Sequence, residues 1–148
     1  MRLLTDKISK LQIGWNERPL TEADFYRLCK RFDVRVIETP LHTRGFYFRL
    51  MGSDVIAIDC KLSGTAKLAV LFHELGHFLF HMPESGPAAN FHNVGRRTRQ
   101  EIEADIFALC AVIPKTLIET RSITELVYDG FPAELIAERN EIYLRYGI

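Results

Sequence analysis

Leu68-Ala69-Val70-Leu71-Phe72-His73-Glu74-Leu75-Gly76-His77-Phe78-Leu79-Phe80 is the stretch that decides the reading of this chain. On a helix it is apolar almost all round, the mark of a helix buried in the middle of its domain. Ser63-Gly64-Thr65 offers an N-cap, the helix extends to about His81, and Pro83 ends the segment. Two histidines and a glutamate are set into this apolar run. Residues four apart project from nearly the same helical face, so His73 and His77 aim two imidazoles at one point. Buried polar groups need partners, and a zinc ion would satisfy both rings at once. Glu74, next to the first histidine in the H-E-x-x-H pattern, is then placed to act as a base on water. Gly76 weakens the helix by about 1 kcal/mol relative to Ala; close approach of another element would account for it.

A catalytic zinc takes three protein ligands and keeps a fourth position for water. The candidates for the third are Glu101, Glu103 and Asp105, on a helix expected from about Thr98 to Ile113 and stopped by Pro114. At about 100° per residue, Glu101 and Asp105 lie roughly 40° apart, on the side shared with Ala104, Ala108 and Val112. A face of small residues suits close packing against the zinc helix, which makes Glu101 the expected ligand. Asp105 is expected to accept the other ring N–H of a zinc-bound histidine and fix its tautomer. Glu101 also fits a second role. Thr98-Arg99-Gln100-Glu101 is also a capping box, in which Glu101 bonds the Thr98 backbone N–H. Glu103 is expected in solvent, with a ligand role as its alternative. His81, near the helix C-terminus, is expected to interact with the helix dipole and cap carbonyls.

Working outward, Thr21 and Asp24 form the N-terminal signature of a helix running to about Phe32, with Phe25 and Leu28 facing inward. Three strand-like runs follow: Val34 to Thr39, Phe46 to Met51 and Val55 to Cys60. Their short spacing, with Met51-Gly52-Ser53-Asp54 as a tight turn, predicts an antiparallel meander. The stretch from Met82 to Gly95 reads as a loop, and loops of that length are often functional. Beyond Pro114 come short helical patterns over Lys115 to Thr120 and Ile123 to Tyr128, a break at Asp129-Gly130, and a last helix from Pro132 to Tyr146. The expected fold is α+β: a small antiparallel three-stranded sheet packed on the buried zinc helix, with further helices and a helical C-terminal tail. The expected organisation is one domain over residues 1–148, with a core at about 21–114 and a helical extension at about 115–148.

The 148 residues are enough for one compact domain with a real core. Apolar content of 47% with 26% charged residues excludes a disordered chain. Formal net charge is zero, so nothing global points to nucleic acid or an acidic membrane surface. Cys29, Cys60 and Cys110 are far apart and form no C-x-x-C pair, which argues against a disulfide framework and a thiolate metal site. Reduced thiols suit the cytoplasm. Met1 to Lys10 carries charges at Arg2, Asp6, Lys7 and Lys10 and is not read as a signal peptide.

Taken together, His73-Glu74-Leu75-Gly76-His77, then Glu101-Ile102-Glu103-Ala104-Asp105-Ile106-Phe107-Ala108, then Pro114 resembles the ImmA/IrrE family of metallopeptidases. Members typically show H-E-x-G-H, then E-x-E-A-[ND]-x-F-A, then an apolar stretch ending in Pro. The spacing of Glu101 and Asp105 is also similar to that of the wider gluzincins. The resemblance covers roughly Thr21 to Pro114. It departs at Ala111-Val112-Ile113-Pro114, where members often carry a Leu-Leu-Met-Pro-like run, a change that touches no expected ligand.

The expected reaction is zinc-assisted hydrolysis of an amide, with Glu74 taking a proton from water and delivering it to the leaving amine. A further donor should stabilise the oxyanion; His92, Arg96, Arg99 and Tyr47 are the candidates, with an ordinary surface role as the competing reading of His92. Substrate is expected to add as a strand along a sheet edge, at Phe46 to Met51 or Val55 to Cys60. The resemblance implies a protein substrate of the helix-turn-helix repressor class, and so an antirepressor role. The tail helices either pack over the core or help dock that partner. Two alternatives remain at this point: a non-catalytic regulatory module with structural zinc, and a zinc hydrolase acting on a small amide or peptide.

Overall fold

The computed structural model describes residues 1–81 and 98–148. Its elements in chain order are α1 (Arg2–Ser9), α2 (Glu22–Phe32), β1 (Val34–Thr39), β2 (Gly45–Leu50), β3 (Ser53–Asp59), α3 (Gly64–Phe80), α4 (Arg99–Val112), α5 (Lys115–Thr120), α6 (Ile123–Tyr128) and α7 (Ala133–Tyr146). The α+β class and the small three-stranded sheet stand as expected. Helix and strand boundaries agree with the sequence reading to within one or two residues.

Helix α2 begins as the sequence dictates. The Thr21 side chain accepts from the Asp24 N–H, and the Asp24 carboxylate accepts from the Thr21 N–H, so two end donors are satisfied reciprocally. The β2–β3 hairpin closes through Met51 and Gly52, both at positive φ (50° and 80°). Two such residues between paired Leu50 and Ser53 make the type I′ geometry that matches strand twist.

The sheet itself is mixed rather than antiparallel, which corrects the expected meander. Strand order is β1-β3-β2, with β1 parallel to β3 and β2 antiparallel to it. The physical reason lies in β3. Its burial runs without alternation through Asp54–Ile58, as befits a central strand covered on both faces. β1, with its mostly exposed alternate positions, belongs at an edge. The link from β1 to β2 crosses the end of β3 and is fastened there: Leu41 N–H donates to the Asp59 carboxylate, and Asp59 N–H donates to the Arg44 carbonyl.

Helix α3 packs on the sheet on one side and on α4 on the other. Tyr47 of β2 lies edge-on to Phe78, and Phe107 of α4 lies edge-on to Phe72. Leu71, Phe72, Leu75 and Phe107 are fully buried, and each such side chain contributes about 1.5–3 kcal/mol. Gly76 sits at the helix crossing. A Cβ placed there would come within 3.1 Å of Phe107 Cδ1 and 3.4 Å of Ala104 Cα, so the expected close approach is real. The same core cluster takes in Leu126 of α6 and Ile136 and Ile142 of α7. It also takes in Leu4, Ile8 and Leu11 at the N-terminus. Their i, i+4, i+7 spacing specifies α1, a helix that no sequence motif marks.

Arg139 ties the periphery together. It is fully buried, and donates to the Ile113 carbonyl (2.6 Å), the main-chain oxygen of Ile148 (2.8 Å) and Asn16 Oδ1 (3.1 Å). Burial lowers its pKa, partly opposed by Cys110 and Tyr143 nearby. The three cysteines are unpaired, with Cys29 and Cys110 buried and Cys60 exposed. Among the described residues, no helix is long and apolar enough to cross a membrane.

Candidate metal centre

His73 and His77 lie on one face of α3, one turn apart, as their spacing requires. Their Nε2 atoms are 3.1 Å apart. Glu101, in the first turn of α4, completes the group: its carboxylate oxygens lie 3.0 Å from His77 Nε2 and 3.3 Å from His73 Nε2. Among the described residues, these are the three whose ligand-type atoms fall within 4.8 Å of one another.

The close helix crossing at Gly76 and Ala104 is what brings α4 near enough for this. The competing role of Glu101 resolves by atom. The Glu101 backbone N–H donates to the Thr98 hydroxyl at 3.2 Å and so takes part in the cap. Its carboxylate faces the histidines. Only the Thr98 side-chain half of the cap forms at α4, whereas α2 and α6 have both halves.

Asp105 lies one turn further along α4. Its Oδ1 is 2.7 Å from His73 Nδ1. With that carboxylate accepting the Nδ1 hydrogen, a neutral His73 keeps a lone pair on Nε2, the atom facing the group. The donor set suits zinc. Ligand atoms about 2.0–2.1 Å from a tetrahedral zinc stand roughly 3.3 Å from one another. The observed separations of 3.0, 3.1 and 3.3 Å match that spacing. Two imidazole nitrogens and one carboxylate are among the donor sets that bind zinc.

Glu74 is buried, 1% exposed. It borders the start of β2: a Cβ built on Gly45 would lie 3.5 Å from Glu74 Cγ and only 2.8 Å from the Ala57 carbonyl. The absence of a side chain at Gly45 lets the strand run against the glutamate.

Two residues differ from expectation. His81 caps the end of α3 through its backbone, donating to the His77 carbonyl. Its side chain is not a solvent-facing cap, being 4% exposed. It lies with Nδ1 3.3 Å from His77 Nδ1 and Nε2 2.9 Å from Glu103 Oε2. Glu103 is therefore not simply solvated: it also accepts from Arg99 Nε at 2.7 Å. Burial raises the Glu103 pKa, but the His81 and Arg99 contacts outweigh it and leave the carboxyl below its ordinary value. The four-residue spacing of His77 and His81 was visible in the sequence, but the partner on α4 was not.

The candidate oxyanion donors fare differently. Tyr47 is fully buried and donates its hydroxyl proton to Asp54 Oδ1 at 2.6 Å. Burial, with help from the Asp54 bond and charge, pushes its phenol well above the ordinary range. Its ring packs in the core against Phe78, so the structure does not bring its hydroxyl to the metal-ligand group. Arg99 is bound to Glu103. His92 and Arg96 lie outside the described residues.

Residues 29–141 match the family model Peptidase_M78, described as the IrrE N-terminal-like domain. A protein of Bacillus phage phi105 named "Uncharacterized immunity region protein 2" is 29% identical over 118 residues, spanning 74% of this chain and 75% of its own length. No solved structure matches.

Proposed function

Because the chain belongs to the Peptidase_M78 (IrrE N-terminal-like) family, we propose that it is a zinc-dependent endopeptidase of the cytoplasm that cleaves one specific protein. The observation that carries the reading is the convergence of His73, His77 and Glu101 at zinc-ligand spacing, with the buried Glu74 following His73 on the same helix. When bound, zinc would acidify water and polarise the scissile carbonyl. The residues of the chain do the rest. His73, His77 and Glu101 hold the ion, and Asp105 holds the His73 ring. Glu74 takes a proton from the attacking water and returns it to the leaving amine. Its burial excludes bulk water from that transfer.

The sheet order narrows where a substrate strand would add. β3 is paired on both sides, so of the two candidate strands only β2 has an unpaired side among the described residues. β2 begins at Gly45, next to Glu74. We assign the substrate strand to β2 on that ground. The packing of α6 and α7 into the common core supports treating the tail as part of the same domain rather than as a separate docking module.

The named relative belongs to a phage immunity region, which supports a regulatory role in phage immunity. The substrate we propose is a helix-turn-helix repressor, so that cleavage would act as antirepression. The test is incubation of the zinc-loaded protein with a repressor encoded beside it. Wild type should cleave it, while Glu74→Gln should retain zinc and leave it intact. Equal cleavage by both proteins would remove Glu74 from the mechanism. Zinc binding by both with no cleavage of the repressor would favour the non-catalytic module.

A further inference from the structure

We propose that His81 and Glu103 act as a positioning pair for His77, holding its ring in the one tautomer that can bind a metal through Nε2. The proposal rests on the metal-centre reading above. The direction of every hydrogen bond then follows. If His77 offers its Nε2 lone pair, a neutral ring must carry its hydrogen on Nδ1. That atom is 3.3 Å from His81 Nδ1, which therefore accepts. A neutral His81 accepting at Nδ1 must carry its hydrogen on Nε2, 2.9 Å from Glu103 Oε2. The other oxygen of Glu103 accepts from Arg99 Nε at 2.7 Å. Four side chains on two helices satisfy one pattern of donors and acceptors.

The opposite pattern, with the His77 Nε2 hydrogen donated to Glu101 Oε1 at 3.0 Å, is satisfied only without an ion. A hydrogen on His77 Nε2 would point into the group formed with His73 Nε2 and Glu101 and leave no lone pair for an ion. Placement supports the assignment as well. His77 and His81 are four apart at the end of α3, and Arg99 and Glu103 are four apart at the start of α4. The His77 and His81 side chains are 1% and 4% exposed, so water competes little for these bonds. The two metal-facing histidines are thus supported differently. His73 meets a carboxylate directly, and His77 reaches one through a second imidazole. Partners of this kind set ring orientation and ligand basicity, and their loss weakens metal binding about 10- to 100-fold.

The experiment is zinc affinity by chelator competition, with the visible spectrum of the cobalt(II)-substituted protein and the melting temperature of the metal-free protein. His81→Phe keeps a ring of similar size but removes the acceptor, and Glu103→Leu removes the far end of the relay. His81→Asn restores an acceptor near the Nδ1 position. The expected result is an affinity loss of about 10- to 100-fold in His81→Phe, a smaller loss in Glu103→Leu, and substantial recovery in His81→Asn. The cobalt bands should shift in His81→Phe while the metal-free melting temperature holds. Unchanged zinc affinity and cobalt bands in His81→Phe overturn the proposal. So does an affinity loss that only tracks lowered metal-free stability in both variants and is not recovered by His81→Asn. A wild-type protein that binds no zinc overturns the metal-centre reading itself; a binding wild type with an unaffected His81→Phe overturns the relay alone.

Discussion

Gly76→Ala sets two effects of similar size against each other at the point where the two helices carrying the proposed ligands cross. In isolation the change should stabilise α3 by about 1 kcal/mol through helix propensity. The new methyl would, however, sit 3.1 Å from Phe107 Cδ1 and 3.4 Å from Ala104 Cα. Carbon atoms pack best at about 3.5–4.0 Å, so α4 or the Phe107 ring must yield by a few tenths of an ångström. The ring has little room. It is fully buried, with ring centroids 6.0 Å from Phe72 and 5.2 Å from Phe80. The strain therefore falls on the helix spacing, at a typical overpacking cost of about 1–3 kcal/mol. Overpacking wins, and a net loss of about 1 kcal/mol is expected. The shift also moves Glu101 away from His73 and His77, whose separations are now 3.3 and 3.0 Å. Metal sites tolerate only about 0.2 Å of bond-length error, so zinc affinity should fall by roughly tenfold. Urea denaturation of the metal-free protein and chelator competition measure the two quantities. A variant stabilised by about 1 kcal/mol with unchanged zinc affinity would refute the tight-crossing argument.

Gly45→Ala should destabilise by about 1–3 kcal/mol, since its methyl would meet the Ala57 carbonyl at 2.8 Å and Val70 Cγ1 at 3.2 Å, with Glu74 Cγ in ordinary contact and no proposed ligand touched; wild-type stability, or zinc affinity lost ahead of stability, would contradict this. Asp24→Ala should cost about 2 kcal/mol at neutral pH, from charge-assisted bonds and the helix cap. The Arg18 contact, ahead of the Thr21 and Arg27 bonds and against the opposing effect of burial, holds the Asp24 carboxyl well below the ordinary range. Its contribution is therefore complete above the unfolded value of about 3.9 and fades as pH falls below it. The stability gap between wild type and Asp24→Ala should narrow in acid, and a gap that widens below pH ~3.9 would reverse the sign. Arg139→Met should cost about 3 kcal/mol, because it strands the Ile113 carbonyl and the Ile148 main-chain oxygen, while Asn16 Oδ1 keeps the Lys115 N–H. Thermal unfolding within a degree or two of wild type would show those acceptors resolvated without loss.

Local rules were legible in the sequence wherever the partner lay a few residues away. The Thr21–Asp24 capping box and the Met51-Gly52 turn are of this kind. So is the shared face of His73 and His77. Strand pairing was less so. The short link between β1 and β2 suggested neighbours, yet β3 lies between them. The signal was present in Val55-Ile56-Ala57-Ile58, a run too continuously apolar for an edge strand. Asp105 could be placed by helix geometry because it shares a face with Glu101. Glu103 could not, because its contact with His81 depends on the relative rotation and shift of two helices, which Gly76 and Ala104 set. Tyr47 reads as a possible donor by residue type alone; only its burial and the Asp54 acceptor reveal a core role.

The central claim is that His73, His77 and Glu101 share one zinc ion. Anomalous diffraction at the zinc edge from crystals of the zinc-loaded protein tests it most directly. One peak per chain is expected, about 2.0–2.2 Å from His73 Nε2, His77 Nε2 and a Glu101 carboxylate oxygen. A peak bound instead through Glu103 or Asp105, or no peak at this site in a protein that carries zinc, would contradict it.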